Sequence, residues 1–223
     1  MPRKDGRTTT QMRAMSATQG ALERADGSVR FGFGDTQTMC AVNGPVEARL
    51  REEQLDRATV EAVYRPIIGL PGVRAKEIEA AVQTVAEASL LAGLHPRTLV
   101  QVTAQCMSDA GSSVAATLNA TAMALMDAGL PLRAVPAAVA CAISPEGEVL
   151  VDPTAEEEQC ARSQHVFAFD NTSQEMVFCA STGKFTAEEL AACHDLCRAG
   201  AAKVHAFYRV ALERKLAEEG IVA

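Results

Sequence analysis

Three groups of residues in this chain of 223 are of a type and spacing that could do chemistry. Asp152-Pro153-Thr154 is followed at once by Glu156, Glu157 and Glu158. Carboxylates grouped in this way can hold Mg²⁺ through a few oxygens, leaving its other positions to water and substrate phosphates. The same residues also read as a turn initiator and a solvated acidic patch. The loop Asp109-Ala110-Gly111-Ser112-Ser113 leads from an alternating run into a run of helical period. A helix N-terminus with two serine hydroxyls beside it favours an anion such as phosphate. Ser112 or Asp109 can instead simply cap the helix. Spacing alone favours the cap, because no Walker pattern is present and Asp109 repels an anion. Arg65, Arg74, Lys76, Arg97 and Arg133 form the third group, cations standing mostly at element ends, each an ordinary surface residue when taken singly. His95, His165, His194 and His205 fit no nucleophile motif, and Cys193 and Cys197 with His194 lack the second ligand pair of a zinc pattern.

The elements that must position these groups follow from periodicity. Residues 1–13, with Arg3, Lys4, Arg7 and Arg13 and no apolar period, read as a basic arm, disordered until assembled for want of an apolar anchor before Met12. Val29, Phe31 and Phe33, then Thr36, Thr38, Cys40 and Val42, alternate around Gly34-Asp35 as a hairpin, and Val60, Ala62 and Tyr64 give a third strand. A helix over about 75–92, a strand over 100–106 and a helix over 114–125 come next. Strands near 137–143, 148–152, 164–169 and 175–180 form a second set. Thr186 to Glu189 is a capping box opening a final helix whose stripe is Leu190, Cys193, Cys197, Ala201, Val204, Tyr208 and Leu212. The order βββαβα then ββββα, with no Pro, Gly or Ser linker, predicts an α/β protein of two mixed-sheet, sheet-plus-helix lobes in one compact unit, 14–135 and 136–223.

Composition limits the function. Twenty-one Lys and Arg against 28 Asp and Glu give a formal net charge of -7, which makes the chain alone a poor binder of a polyanion. Aromatic residues are 4% with no Trp, so a base-stacking platform is excluded as well. No apolar run reaches the ~18 residues that span a bilayer, and Met1 to Asp5 lead into no signal core, so a soluble intracellular protein without a membrane partner is expected. The seven scattered cysteines fit reduced thiols packed as small hydrophobes.

Several strings in order carry a family resemblance: the run Arg24 to Thr38 with Asn43-Gly44-Pro45, then Ile68 to Val73, Leu94 to Thr98, Ser108 to Ser112, Asn119-Ala120 with Asp127-Ala128-Gly129, and Val151 to Thr154. From about Gly6 to Tyr208 the chain resembles the ribonuclease PH family. That resemblance implies two mixed-sheet halves and a hexameric ring, built with other ribonuclease PH-like subunits of the RNA exosome, that threads single-stranded RNA through its channel. It also implies RNA processing and degradation in nucleus, nucleolus and cytoplasm. Active members attack the 3′-terminal phosphodiester with inorganic phosphate, helped by a divalent metal, and release a nucleoside diphosphate.

Residue by residue, the resemblance departs from an active enzyme. The phosphate loop corresponds to Gly111, Ser112 and Ser113, with Val114 where the family's phosphate-forking arginine is expected. Asp152 matches one family acid and Glu158 the metal-associated aspartate. Arg74 survives near the first long helix, which otherwise offers Glu79, Gln83 and Glu87, while Arg65, Arg74 and Arg97 are the RNA-contact candidates. Losing one well-placed donor costs on the order of 10²–10³ in rate. The expectation is a non-catalytic ring subunit with no cofactor and with Asp152 and Glu158 vestigial. The alternatives are an active exoribonuclease using Mg²⁺ and phosphate, or a homodimeric hydrolytic nuclease.

Overall fold

The computed structural model describes residues 3, 5–218 and 220. The first sheet has the order β1-β2-β3-β5-β4, built from β1 (Met15–Gln19), β2 (Gly27–Phe33), β3 (Thr36–Glu47), β4 (Thr59–Arg65) and β5 (Thr98–Ser108). Its strands pair antiparallel except β4 with β5, which are parallel and joined by the crossover helix α1 (Val73–Ser89). Alternation carries Val29, Phe31 and Phe33 of β2 and Cys40 and Val42 of β3 into the core. The second sheet has the order β7-β6-β8-β9, with β6 (Pro136–Ile143), β7 (Val149–Val151), β8 (Ser163–Asp170) and β9 (Met176–Gly183), all antiparallel.

Helix α2 (Ser113–Asp127) lies between the two sheets and touches strands of both. From Ala115 to Leu125 every residue is buried, and the small residues Ala115, Ala116, Ala120, Ala122 and Ala124 let the sheets approach. Gly27 of β2 shows how close the approach is, since a Cβ there would lie 2.4 Å from the carbonyl oxygen of Ala124. The buried hydroxyls of Thr117 and Thr121 are satisfied by the carbonyls of Ser113 and Thr117, one turn back. Strand β6 is buried at all eight positions because it packs against both α2 and α4 (Ala187–Glu218). Cys193, Cys197, Ala201, Val204 and Tyr208 form the buried stripe of α4, and its capping box is present: the Thr186 amide donates to Glu189 and the Glu189 amide to Thr186 Oγ1.

The structure corrects the sequence-based order in two places. Met15–Gln19 is an edge strand paired with β2, which its composition, MSATQ, does not announce. Residues Ala155–Cys160 form a further helix, α3, in place of a solvated acidic turn. Thr154 accepts from the Glu157 amide while Glu157 returns to the Thr154 amide at 2.8 Å, a second capping box. Helix α1 also begins and ends earlier than expected, and Ala92–Leu94 is a short 3-10 turn.

One buried amide ties α2 to both neighbours. Asn119 Nδ2 donates to the Ala138 carbonyl at 2.9 Å, its Oδ1 accepts from the Ala138 amide at 2.7 Å, and the Tyr208 hydroxyl donates to the same oxygen at 2.8 Å. Asn119→Ala strands the buried amide and carbonyl of Ala138 and leaves the Tyr208 hydroxyl only a 3.5 Å contact to the Pro136 carbonyl, at an expected cost of about 3–5 kcal/mol, whereas Tyr208→Phe strands no backbone group and costs about 1–2 kcal/mol. Urea denaturation midpoints of the two variants should fall in that order.

Candidate functional site

At the C-terminal end of β7 the chain turns through Asp152, which has φ 51° and is 2% exposed. Its carboxylate is held by Arg13: Nη2 donates to Oδ1 at 2.6 Å, and Nε and the Arg13 backbone amide donate to Oδ2 at 2.9 and 2.8 Å. Arg7 Nη1 adds a longer contact to Oδ2 at 3.3 Å. Burial alone would raise the pKa of this acid, but the hydrogen bonds and charge of Arg13 outweigh it and hold the carboxyl below its usual range. Arg13 goes on to the phosphate-loop segment, donating to the carbonyls of Ala110 at 3.1 Å and Gly111 at 3.0 Å. Arg3, itself buried, bonds both carboxylate oxygens of Glu157 at 3.1 Å and the Val151 carbonyl at 2.8 Å.

These contacts correct the expectation for the N-terminal arm. In the described part of it, residue 3 and residues 5–13, the anchor is ionic instead of apolar. Three arginines insert among Asp152, Glu157 and strand-end carbonyls, and the Thr9 carbonyl accepts from the Val151 amide at 2.8 Å. Lys4 lies outside the described residues. Composition concealed this docking, since a basic segment without apolar period looks the same whether it is free or paired. The signal that could have found it is Asp152 itself, because a buried carboxylate needs a counter-charge.

Glu158 serves as an internal anion. Its Oε1 accepts from the Ser112 amide at 2.6 Å, so this carboxylate occupies the positive N-terminus of α2. Burial raises its pKa, with the Ser112 amide opposing and the like charge of Asp109 adding to the rise. Ser112, at φ 58°, gives the helix no side-chain cap and sends its hydroxyl to the Pro153 carbonyl at 3.0 Å. Gly111 packs directly on the segment ahead of α3, where a Cβ would lie 2.5 Å from the Ala155 nitrogen. Thr36 Oγ1 donates to the Gly111 carbonyl at 2.7 Å. Loop, acids and arm are therefore stitched to one another, and no gap for a phosphate remains between the loop and α3.

A cavity of about 340 Å³ opens beside this cluster, lined by Tyr64, Ile67, Arg74, Cys106, Asp109 and Ser113 among others. Ser113 faces it, whereas Val114 packs partly buried against the core. No residue from Asp109 to Leu118 carries a positive charge. Arg65 and Arg74 lie exposed at the same end of the sheet as the loop. Arg97 does not. It precedes β5, a strand length of about 30 Å from Ser108, and pairs with Glu53 at 3.5 Å. The histidines stand apart as well: His165 is bracketed by Ser163 and Ser181, and His205 meets the Val135 carbonyl. Cys193 and Cys197 are fully buried in the α4 stripe, and among the described residues no group of three or more His, Cys, Asp or Glu is arranged to hold a metal ion.

The Asp152–Arg13 pair sets an acid limb on stability. A depressed native pKa means that the unfolded chain binds the extra proton first, so stability is fully present above the unfolded aspartate value of about 3.9 and is lost as pH falls through the native one. Asp152→Asn leaves Arg13 buried without its partner and is expected to cost about 3–5 kcal/mol at pH 7. In urea titrations at a series of pH values, the gap to the unaltered chain should narrow below pH ~3.9.

Comparison with known proteins agrees with this architecture. The family model described as 3′ exoribonuclease family, domain 1, matches residues 11–131, and domain 2 of the same family matches 134–200. An exosome complex exonuclease RRP46 homolog of rice (Oryza sativa subsp. japonica) is 29% identical over 170 residues, covering 76% of this chain and 71% of the relative. The crystal structure of rice Rrp46 superposes with a TM-score of 0.90 at 30% identity, covering 95% of this chain and all of the other. An Archaeoglobus fulgidus exosome structure with RNA bound in its active site shares the fold, with a TM-score of 0.82 at 21% identity over 92% of each chain. Two family domains in order along most of the chain, on the two-sheet fold described above, make this protein a member of the 3′ exoribonuclease family of the ribonuclease PH type.

Proposed function

We propose that this chain is a non-catalytic subunit of an RNA exosome ring, acting in 3′-to-5′ RNA processing and degradation through assembly and by lining an RNA path. The observation that carries the silent reading is the internal use of both candidate acids beside a loop without an arginine. Asp152 is bound by Arg13, Glu158 by the α2 N-terminus, and no arginine follows the loop. Phosphate would have to displace a covalently tethered carboxylate whose effective concentration is far higher. Resemblance to the rice RRP46 homolog supports the exosome assignment. Under this reading the chain takes no cofactor and works in the nucleus, nucleolus and cytoplasm.

Surface chemistry supports assembly. Strand β4 is an edge of its sheet, and a cavity of about 430 Å³ runs along it, lined by Glu61, Val63, Arg65, Lys76, Glu79 and Gln83 among others. Beside its C-terminal end Ile68, Leu70 and Val73 are 88%, 92% and 80% exposed, an apolar group that a subunit contact would cover. Arg65 and Arg74 stand near it, where a hexameric ring of related subunits would bring RNA past them.

With RNA, inorganic phosphate and Mg²⁺, the purified chain should release no nucleoside diphosphate. Robust, phosphate-dependent release of nucleoside diphosphates would establish the active phosphorolytic enzyme instead, and nucleoside monophosphates or internal cuts without phosphate would establish a hydrolytic homodimer. Native mass of the complex recovered from the source cell should be that of a large hetero-oligomer. Ile68→Asp with Leu70→Asp should release the chain from it while leaving its unfolding free energy in urea within about 0.5 kcal/mol of unaltered.

A further inference from the structure

The outer face of α4 carries a stretch in which this acidic chain reverses its sign. Residues 196–212 contain Arg198, Lys203 and Arg209 and no Asp or Glu. All three cations are exposed, and among the described residues none has an ion pair or a side-chain hydrogen bond. At 3.6 residues per turn, Arg198 and Arg209 fall on one flank of the exposed face and Lys203 on the other. Arg214 continues the second flank, partly neutralised by Glu218 at 2.9 Å. Between the flanks run Ala199, Ala202, Ala206 and Val210, all exposed, Val210 by 63%. The opposite side of the helix is fully engaged by the β6 and β8 face and by Phe31, which Phe207 and Tyr208 meet edge-on.

We propose that this face docks an acidic amphipathic helix of a protein partner, with a small or apolar stripe seated on Ala199, Ala202, Ala206 and Val210 and carboxylates reaching Arg198, Arg209 and Lys203. Charge complementarity selects the occupant. A second copy of this face would set cations against cations. A nucleic-acid backbone is negative along its whole length, and at the two ends of the basic stretch it would meet the exposed carboxylates of Asp195 and Glu213. A partner helix with about three turns of acid fits between those ends, since Arg198 and Arg209 are some 16 Å apart along the axis. The alanine floor adds what a phosphate chain does not need, namely a surface against which two helix backbones come close while the apolar side of the partner leaves water. This site is independent of the vestigial acids and of the β4 edge.

The test uses the full chain and three probes in fluorescence anisotropy. One is a capped 18-residue helical peptide with an alanine-leucine stripe flanked by glutamates, the second is the same peptide with glutamine for glutamate, and the third is oligo(U) of 18 nucleotides. The glutamate peptide should bind at least about tenfold more tightly than the glutamine peptide, and more weakly as salt rises. Arg198→Ala with Arg209→Ala, and separately Ala202→Gln with Ala206→Gln, should each weaken it about tenfold or more. All four positions are exposed, so unchanged thermal midpoints will show that folding is intact. Equal binding of the two peptides overturns the proposal. So does indifference to the alanine substitutions, which would mean charge adsorption without helix docking. Oligo(U) binding lost on the arginine substitutions would assign the face to nucleic acid.

Discussion

A buried carboxylate is the constraint from which the site and its surroundings follow. Asp152 terminates β7 in a left-handed backbone conformation inside the protein, where an unpaired negative charge would be prohibitive. Arg13 resolves it with three donors, two from the guanidinium and one from its own amide. Because the same guanidinium also reaches the carbonyls of Ala110 and Gly111, one ion pair fixes three separated stretches of chain: the N-terminal arm, the loop entering α2 and the turn entering α3. Those stretches come from both sheet-bearing halves, so the pair also locks their relative position. Arg3 extends the lock to Glu157 and the Val151 carbonyl, and Arg7 to the Asp152 carbonyl.

That lock also bears on the proposed loss of chemistry, because it holds the site's shape without any ligand. In a phosphorolytic site the loop amides and the acids face a mobile anion and a metal, charges supplied from solution. Here their counterparts are supplied by the chain. Glu158 takes the α2 N-terminus, where an incoming phosphate would sit, and Arg13 gives Asp152 the positive charge that a metal would give. Both substitutions are intramolecular, so they cost no translational entropy and persist without ligand. The raised pKa of Glu158 and the lowered pKa of Asp152 mark the difference between the two: burial governs the first and arginine the second.

Much of the fold was legible because its signals are local. The strict alternation of Val29, Phe31 and Phe33, the helical period of α2 and the capping box at Thr186 each announce an element without knowledge of its neighbours. Strand β1 and helix α3 were missed because their stability comes from partners: β1 from pairing with β2, and α3 from Glu157 shared between its own cap and Arg3. The acids and the loop were found by type and spacing. Their use could not be, because sequence does not say that a basic arm and an acidic turn, 139 positions apart in the case of Arg13 and Asp152, close on each other.

Net charge acquires meaning only once it is placed. The excess of seven acids argues against free binding of RNA, yet several acids are consumed internally, Asp152, Glu157 and Glu158 among them, and contribute little to the outer field. Several cations are consumed with them: Arg3, Arg7 and Arg13 are turned inward and unavailable to any polyanion. What remains outside is segregated, with Arg65 and Arg74 at one end of the first sheet and Arg198, Lys203 and Arg209 along α4. A surface so divided cannot hold a long polyanion by itself, because counterion release scales with the number of phosphates neutralised together. Two cations at one end of the sheet and a separate basic stripe on α4 are instead the pattern that the proposed ring subunit calls for, with neighbours completing any RNA path.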